Sequence, residues 1–303
     1  MSLIGEEHAG GHRTGATPFI VGIVITLTFA AIEFTAGWIS GSLALMGDAA
    51  HMASDSLALA LAAFAAWLAQ RPASYRHSFG LGRAEVLAAM INATVMLIIV
   101  GALSLAAIQR LLEPRPVEGV IVLVVASLGL LLNLTLAIVL FHGERTLNNK
   151  GALLHVLGDL LGSVAAITAG TVIMLTGWTP IDPILTLFIC GLILIAALRL
   201  LREAGHVVLE GVPRHIDLPE VGRSMAEIEG VHSIHDLHIW SLSSNHVSLS
   251  AHVLLQDLND WEPIRKRLVA HLSERYGIEH VTLQPEALIL GATGVDELKS
   301  STD

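Results

Sequence analysis

The segment GSLALMGDAAHMASDSLALALAAFAAWLA, residues 41–69, combines an apolar sequence with three ionisable side chains. About 20 apolar residues span the hydrocarbon core of a bilayer as a helix. Asp48, His51 and Asp55 are costly in such a helix, because an Asp at its centre is disfavoured by roughly 2.5 to 3.5 kcal/mol on a translocon-type scale. The segment therefore predicts a membrane-crossing helix whose ionisable groups serve a function.

The composition of the whole chain also indicates a membrane protein. Hydrophobic residues make up 53% and charged residues 15% of its 303 positions, whereas soluble domains carry about 25% charged residues. Apolar runs predict six spans, at about 18–39, 43–69, 84–110, 118–141, 151–176 and 181–203. Residues 1–17 are polar, so we do not expect a cleaved signal peptide at this position. The single cysteine, Cys190, excludes an internal disulfide and a cysteine-based metal site.

Positively charged residues beside the predicted spans are unevenly distributed. With both termini on one side, that side carries nine Lys and Arg residues and the other carries only Arg110 and Arg115. Because positively charged loops stay on the cytoplasmic side, both termini are expected in the cytosol. The sequence thus predicts a multi-pass protein of the cell inner (plasma) membrane, embedded in the lipid bilayer.

A soluble type of sequence begins after about residue 204. Residues 205–303 hold 15 Asp and Glu against 7 Lys and Arg, and this acidic balance argues against nucleic-acid binding. Two helical stretches, LPEVGRSMAEI and WEPIRKRLVAHLSERYG, and three strand-like ones, VHSIHDLHIWSL, NHVSLSAHVLL and IEHVTLQPE, follow in the order α-β-β-α-β. We expect the last strand to end at Pro285 and residues 291–303 to be disordered.

The predicted fold class is an all-α six-helix transmembrane domain followed by a small α+β ferredoxin-like cytosolic domain. The expected bounds are a cytosolic N-terminal tail at 1–17, the transmembrane domain at 18–204, the cytosolic domain at 205–290 and the tail at 291–303.

Ionisable pairs with the same spacing occur in two of the predicted spans. His51 and Asp55 lie four residues apart in the second span, and His155 and Asp159 repeat this spacing in KGALLHVLGDLLGS of the fifth. Residues at i and i+4 share one face of a helix. Each pair could form a local hydrogen bond that stabilises its own helix, or the two pairs could form one metal site. We favour the metal site, because ionisable residues within a membrane usually mark a site or a pathway.

These four side chains offer two imidazole nitrogens and two carboxylates to a metal ion. Four-coordinate ligation by nitrogen and oxygen suits Zn²⁺, whereas Mg²⁺ and Ca²⁺ prefer six or more oxygens. Two carboxylates neutralise a divalent ion, but without it they leave two negative charges in a low dielectric. Protons can neutralise the same groups, and a metal ion must then displace them. The site could therefore exchange a metal ion for protons.

The stretches SLALMGDAAHMASD, HVLGDLLGS, RHSFGLGRAEVLAA, VLEGVP and HDLHIW resemble the signature sequences of the cation diffusion facilitator family. The resemblance is to the bacterial zinc, cadmium and cobalt efflux branch and covers about residues 15–290. It implies a homodimer, six spans per protomer, a cytosolic ferredoxin-like domain that binds metal and dimerises, and metal/proton antiport by alternating access. It assigns the transport site to His51, Asp55, His155 and Asp159, and the His at the first position implies a preference for Zn²⁺ over Cd²⁺. Zn²⁺ is thus the expected substrate and a candidate regulatory ligand, with other divalent transition metals as alternatives.

Histidines are concentrated in the cytosolic domain. Any one of them could be an ordinary surface residue, but by resemblance His235 and His252 match metal ligands of the family and Glu286 matches an acidic ligand. Glu262 falls near a further ligand position, and His280 could replace a ligand that is missing here. A metal ion bound by these residues is expected to tighten the dimer.

Other polar residues are assigned secondary roles. Arg83 and Glu210 resemble a family charge pair that locks the spans to the cytosolic domain. His77 follows the second span where some members have a further metal site, but the other ligands are missing, so we expect that site to be weak or absent. Asp48 fits a release pathway and helix packing equally well. Glu33 could line the pathway, form hydrogen bonds between helices, or reach water at the outer end of the first span.

Two other functions fit the sequence less well. An intramembrane metalloenzyme would keep an open metal position and a base, and the chain has no His-Glu-x-x-His motif. A membrane-anchored metal sensor would need an output module, and nothing in the chain resembles a kinase or a DNA-binding domain. The sequence therefore predicts an efflux transporter for divalent metals and not an enzyme.

Overall fold

The computed structural model of the protein describes residues 16–142, 147–243 and 246–288, without the side chains of 16–22, 136–137, 139–142, 147–157 and 243. Six long helices come first. They are α1 (Ala16–Ser40), α2 (Leu43–Ala69), α3 (Ala84–Leu112), α4 (Gly119–His142), α5 (Leu147–Thr176) and α6 (Ile181–Val208). Each matches one predicted span, and α6 continues beyond residue 203 to Val208.

Most of these helices have the length and composition of membrane spans. Within the described residues, α1, α2, α3, α5 and α6 qualify, and α4 contributes a shorter apolar segment, Gly119–Thr135. Large apolar side chains remain on the outside, since Trp38, Leu112 and Leu175 are 71%, 79% and 73% exposed. So many exposed large apolar side chains are unusual for a protein surface in water and are typical of a surface in contact with lipid. The prediction of a membrane protein is supported, and the sixth crossing stays a prediction.

The first compact unit comprises the described residues within 16–60 and 92–198. In its described part, α4 packs along α5 and α1 packs against α4. A Cβ at Gly119 would lie 2.8 Å from the carbonyl oxygen of Gly170, so the backbones of α4 and α5 meet where neither has a side chain. Small residues at such contacts let membrane helices approach closely. This close packing of α4 against α5 holds the helix that carries Asp159 within the unit.

A carboxylate from α6 caps the beginning of α2. Ser42 Oγ donates a hydrogen bond to Asp182 at 2.5 Å, and the N–H groups of Leu43 and Ala44 donate to the same carboxylate at 2.7 and 3.4 Å. Ser42 Oγ also accepts from the N–H of Leu45 at 3.2 Å. Both Asp182 and Ser42 are fully buried. First-turn N–H groups have no acceptor within their own helix, so this contact satisfies them and joins α2 to α6.

The second compact unit comprises the described residues within 61–91 and 199–288. After α6 it contains α7 (Leu218–Ala226), β1 (Val231–Ser243), β2 (His246–Leu255), a 3-10 turn (Leu258–Asp260), α8 (Trp261–Tyr276) and β3 (His280–Ala287). Strand β2 is central, antiparallel to β1 and parallel to β3. Asp217 caps α7 by accepting from the N–H of Glu220 at 2.9 Å, and α8 ends at Gly277, whose φ is 67°.

The core of this unit forms on one face of β2. Its alternate residues Leu249, Ala251, Val253 and Leu255 are buried together with Val221 and Met225 of α7 and Ile264, Leu268 and Leu272 of α8. Side chains alternate between the two faces of a strand. His252 therefore points to the opposite face of the sheet, away from the core.

The unit has the predicted order of elements, with one correction. Strand β3 continues past Pro285 to Ala287, and Pro285 pairs in register with Val253. The described β3 is an edge strand, where a missing N–H costs little. The described sheet has three strands, and the ferredoxin-like class stays a prediction. The predicted N-terminal tail at 1–17 overlaps the start of α1 at Ala16, and residues 1–15 and the predicted tail at 291–303 lie outside the described residues.

Candidate metal centres

Two helices of the first unit bring three of the predicted metal ligands together. His51 Nε2 on α2 lies 3.5 Å from Asp55 Oδ2, one turn further along, and 3.4 Å from Asp159 Oδ1 on α5. One ligand atom from each of the three residues lies within 4.8 Å of the other two. The side chains are 18%, 18% and 13% exposed, so the group is largely shielded from solvent. One nitrogen and two carboxylates at this spacing are a ligand set for a divalent metal.

The fourth predicted ligand is His155. It belongs to α5, four residues before Asp159, but its side chain lies outside the described residues. Its participation therefore stays a prediction from the repeated His-x-x-x-Asp spacing.

Asp48 lies one turn before His51, nearer the Ser42 end of α2. It is 2% exposed and 3.5 Å from Ser163 Oγ on α5, which in turn lies 3.4 Å from Asn133 Nδ2 on α4. A Cβ at Gly162 would lie 2.7 Å from Asp48 Oδ1, so this glycine provides the space for the carboxylate. A buried polar strip thus continues from the cluster of His51, and it leaves both predicted roles of Asp48 open.

Glu33 on α1 does not reach water, which was one of the three roles considered for it. It is 0% exposed, and neither carboxylate oxygen has a hydrogen-bond partner among the described residues. A Cβ at Gly129 of α4 would lie 2.7 Å from its Oε1. The sequence could not reveal this burial, because the position of Glu33 in the helix indicates depth but not the neighbour that covers it. Together with Asp48, Asp55 and Asp159, Glu33 makes the interior of the unit rich in carboxyl groups that a cation can neutralise.

The three strands assemble a second group of metal-type ligands in the second unit. His235 on β1 is paired directly with His252 on β2, and β3 places Glu286 beside Leu254. His235 Nε2 lies 2.8 Å from Glu286 Oε2, and His252 Nδ1 lies 2.7 Å from Glu286 Oε1. The three ligand atoms fall within 4.8 Å of one another. These three residues are the best-placed of the predicted cytosolic ligands.

The charge of Glu286 is stabilised by its two neighbours. Hydrogen bonding from His252, and then from His235, holds the pKa of the Glu286 carboxyl below its usual range. The group is therefore ionised at neutral pH and carries the negative charge that a divalent ion needs. The imidazole rings of His235 and His252 are 5.1 Å apart, edge to face, so both can approach one ion.

The remaining predicted ligands lie elsewhere in the described structure. Glu262 pairs with Arg265 at 2.8 Å, whose hydrogen bond lowers the pKa of Glu262. His280 packs against the Phe79 ring with 6.0 Å between centroids. His77 forms a backbone turn with Ser74 and is exposed. Among the described residues, Glu262, His280 and His77 belong to no group of three metal-type ligands.

Arg83 and Glu210 form the predicted ion pair. Arg83 Nη2 donates to Glu210 Oε1 at 2.8 Å, and their side chains are 40% and 61% exposed. Exposed pairs contribute about 0–1 kcal/mol to stability. The contact is therefore more useful for holding the N-terminal end of α3 beside the chain after α6 than for stability.

Asp236 was not predicted as part of a site, although it lies in HDLHIW between two histidines. Its Oδ1 is 2.9 Å from His238 Nε2, and its Oδ2 is 3.7 Å from His252 Nε2. The signal in the sequence was the run of His, Asp and His itself. It was missed because regular alternation would not predict the irregular register between His235 and His238.

The fold and these ligand groups define a membrane protein with a buried carboxylate–imidazole centre and a small α+β unit. A family model of the cation efflux transmembrane domain matches residues 19–209, and a model of the cation efflux protein cytoplasmic domain matches residues 213–288. The chain therefore belongs to the cation efflux family, and the predicted likeness to cation diffusion facilitators is confirmed.

Several relatives are similar over most of their length. The chain is 41% identical over 287 residues to the zinc transporter ZitB of Escherichia coli, covering 93% of this chain and 91% of that protein. It is 36% identical to the cadmium, cobalt and zinc/H(+)-K(+) antiporter of Bacillus subtilis, covering 91% of each. It is 38% identical to the metal cation efflux system protein CzcD of Cupriavidus metallidurans, covering 93% and 89%. A solved structure, the metal-bound C-terminal domain of the CzcD transporter, is 39% identical over 23% of this chain and 99% of that one, with a TM-score of 0.23.

Proposed function

We propose that the protein exports divalent transition metal ions, with Zn²⁺ as the main substrate, in exchange for protons. The observation that carries this proposal is the position of His51 Nε2 between carboxylates of Asp55 and Asp159, at 3.5 and 3.4 Å, on two different helices. The names of the relatives support the same class, since they include a zinc transporter and a cadmium, cobalt and zinc/H(+)-K(+) antiporter.

The transport site consists of His51, Asp55, His155 and Asp159, so that two imidazoles and two carboxylates surround the ion. This N₂O₂ set suits Zn²⁺ and related transition metals better than Mg²⁺ or Ca²⁺. Four protein ligands leave no open position for an activated water, which favours transport over hydrolytic chemistry. The protein is accordingly proposed to have no enzymatic activity.

Exchange follows from the charge of the site. The two carboxylates balance the charge of a bound divalent ion, and the site without metal must be neutralised by protons because its surroundings are largely buried. Metal and protons then compete for the same atoms, and each displaces the other. Alternating access requires the site to open to one side of the membrane at a time. The strip of Asp48, Ser163 and Asn133 extends from the site toward the Ser42 end of α2 and is the proposed release path.

The proposed topology has six spans within residues 18–204, both termini in the cytosol and the inner (plasma) membrane as the location. The excess of Lys and Arg on the side of the termini supports this orientation. Residues 205–290 form the ferredoxin-like cytosolic domain, through which two protomers associate. The match to the cytoplasmic-domain model, whose short name is ZT_dimer, supports the homodimer.

The cytosolic ligands His235, His252 and Glu286 are proposed to bind a regulatory Zn²⁺. They are 49%, 30% and 33% exposed, so cytosolic metal can reach them without crossing the membrane. Binding there stabilises the packed dimer, and by linkage the packed dimer binds the metal more tightly.

The proposal is tested by metal uptake into proteoliposomes that contain the purified full-length protein. Zn²⁺, Cd²⁺, Co²⁺ and Mg²⁺ are compared, with metal and pH indicators inside the vesicles. An acidic lumen should accelerate Zn²⁺ entry, and Zn²⁺ entry should raise the lumenal pH, because the two ions move in opposite directions. Zn²⁺ uptake that ignores the pH gradient would contradict antiport, and uptake no faster than in empty liposomes would contradict transport.

A further inference from the structure

The two ring nitrogens of His252 face two different carboxylates. Nδ1 is 2.7 Å from Glu286 Oε1, on the side where the cytosolic ligands converge. Nε2 is 3.7 Å from Asp236 Oδ2, on the other side of the ring. This separation is within ion-pair range but longer than a hydrogen bond. His252 therefore has one nitrogen available to a metal ion and the other directed toward an anionic group.

The backbone at Asp236 is unusual. Its φ is 50°, in the left-handed region, and it lies where the register of β1 against β2 shifts between His235 and His238. Non-glycine residues in that region are uncommon, although Asp and Asn tolerate it best. A break in strand register, as at a β-bulge, re-aims a side chain that regular alternation would direct to the other face of the sheet. Here the re-aimed group is the carboxylate that reaches toward His252.

We propose that Asp236 is a positioning residue for metal binding at the cytosolic site. When a metal ion replaces the proton that Nδ1 of His252 shares with Glu286, the Asp236 carboxylate, 3.7 Å from Nε2, attracts the remaining Nε2–H and keeps Nδ1 directed at the ion held with His235 and Glu286. A carboxylate behind a ligating imidazole also increases the basicity of the ligand. The proposal rests on the cytosolic metal site proposed above and adds a residue that does not itself touch the metal.

His238 shares the same carboxylate and sets a limit on this arrangement. Its Nε2 lies 2.9 Å from Asp236 Oδ1, so the two oxygens of Asp236 serve two histidines. Removal of His238 leaves Oδ2 in place, and zinc affinity should then change by less than about threefold, as is usual for an exposed contact. A nearly unchanged zinc affinity after removal of His238 would support a positioning role for Asp236. A large loss would instead indicate a second metal site formed by Asp236 and His238.

The test is zinc titration of the full-length protein in detergent, in an Asp55→Asn, Asp159→Asn background that removes binding within the membrane. Asp236→Asn should weaken Zn²⁺ binding by about 10- to 100-fold, the usual effect of losing such a carboxylate. Thermal stability without metal should stay unchanged, because Asn also tolerates the left-handed region. Glu274→Gln on the exposed surface of α8 is the matched loss of one charge and should leave zinc affinity unchanged.

A second variant gives a result that a purely structural role would not. Asp236→Gly removes the steric strain of the positive φ, so the metal-free protein should be at least as stable as the parent while zinc affinity falls as in Asp236→Asn. Loss of zinc affinity together with loss of metal-free stability in both variants would contradict the proposal and make Asp236 a folding residue.

A double-mutant cycle completes the test. If Asp236 acts through His252, Asp236→Asn should have no further effect on zinc affinity once His252→Gln is present. Additive losses, or a zinc stoichiometry that drops by one ion in Asp236→Asn and in His238→Ala alike, would contradict the positioning role and make Asp236 a direct ligand. If His235→Ala also leaves zinc affinity unchanged, the proposed cytosolic metal site is wrong. If His235→Ala lowers zinc affinity but Asp236→Asn does not, only the positioning role of Asp236 is refuted.

Discussion

Replacement of Asp182 by Ala should destabilise the membrane unit far more than loss of an ordinary helix cap. The Asp182 carboxylate accepts the N–H groups of Leu43 and Ala44 at 2.7 and 3.4 Å and the hydroxyl of Ser42 at 2.5 Å, with Asp182 fully buried. Water cannot replace the lost acceptor at such a site. The first turn of α2 would then hold buried donors without partners.

The expected magnitude follows from these contacts. A buried donor that loses its acceptor costs about 1–3 kcal/mol. Loss of the short contact to the Leu43 N–H should cost the full range of about 1–3 kcal/mol, whereas loss of the long contact to the Ala44 N–H should cost only about 1 kcal/mol. Asp182→Ala should therefore lower the free energy of unfolding by about 2–4 kcal/mol in total. Because α2 carries His51 and Asp55, metal transport should fall together with stability. Asp182→Asn retains one acceptor oxygen and should lose about half as much.

The assay is denaturant unfolding of the full-length protein in detergent, with zinc uptake measured on the same preparations. Asp217→Ala is the matched control, because Asp217 caps α7 through the N–H of Glu220 at 2.9 Å on an exposed surface. Loss of an exposed cap costs about 1 kcal/mol. If Asp182→Ala costs less than Asp217→Ala, burial does not make the α6–α2 contact important, and the reasoning is refuted.

Three further predictions concern Asp48 and the two ligand groups. Gly162→Ala should lower stability by about 1–3 kcal/mol and slow transport, because the added Cβ would lie 2.7 Å from Asp48 Oδ1. Stability and transport rate equal to those of the wild type would show that the Asp48 side chain can move aside without cost. His51→Asp should retain transport and lower the ratio of Zn²⁺ to Cd²⁺ uptake, as the resemblance implies, and an unchanged ratio would argue against His51 as a selectivity ligand. His235→Ala with His252→Ala should reduce transport mainly at low Zn²⁺, since only regulation is lost, and a loss that is equal at every Zn²⁺ concentration would contradict a regulatory role.

The sequence predicted the features that depend on local order. Each apolar run became a helix within a few residues of its expected ends, because helix formation in a membrane depends on the length of the run and on its internal hydrogen bonds. The spacing of His51 and Asp55 was enough to place them on one face. The strand pattern of NHVSLSAHVLL likewise predicted which side of β2 is buried.

Contacts between distant segments were beyond the reach of such patterns. Asp182 and Ser42 are 140 residues apart, and no periodicity connects them. Contact with water was one role considered for Glu33, but packing of α1 against α4 covers it. Asp236 depends on a register shift in β1, which shifts the side chain away from the expected alternation. Each of these features depends on the packing of elements that are distant in sequence, and local sequence patterns do not predict that packing.

The claim that metal and protons share one site within the membrane is tested most directly by paired flux measurements. Zn²⁺ entry and proton exit are recorded in the same proteoliposomes for the wild-type protein and for the variant Asp159→Ala. In the wild-type protein the Asp159 carboxylate lies 3.4 Å from His51 Nε2. The variant should insert and dimerise normally and lose both fluxes together, because one group binds both ions. A variant that transports Zn²⁺ at the wild-type rate, or that loses Zn²⁺ entry while zinc-driven proton exit continues, would contradict the shared site.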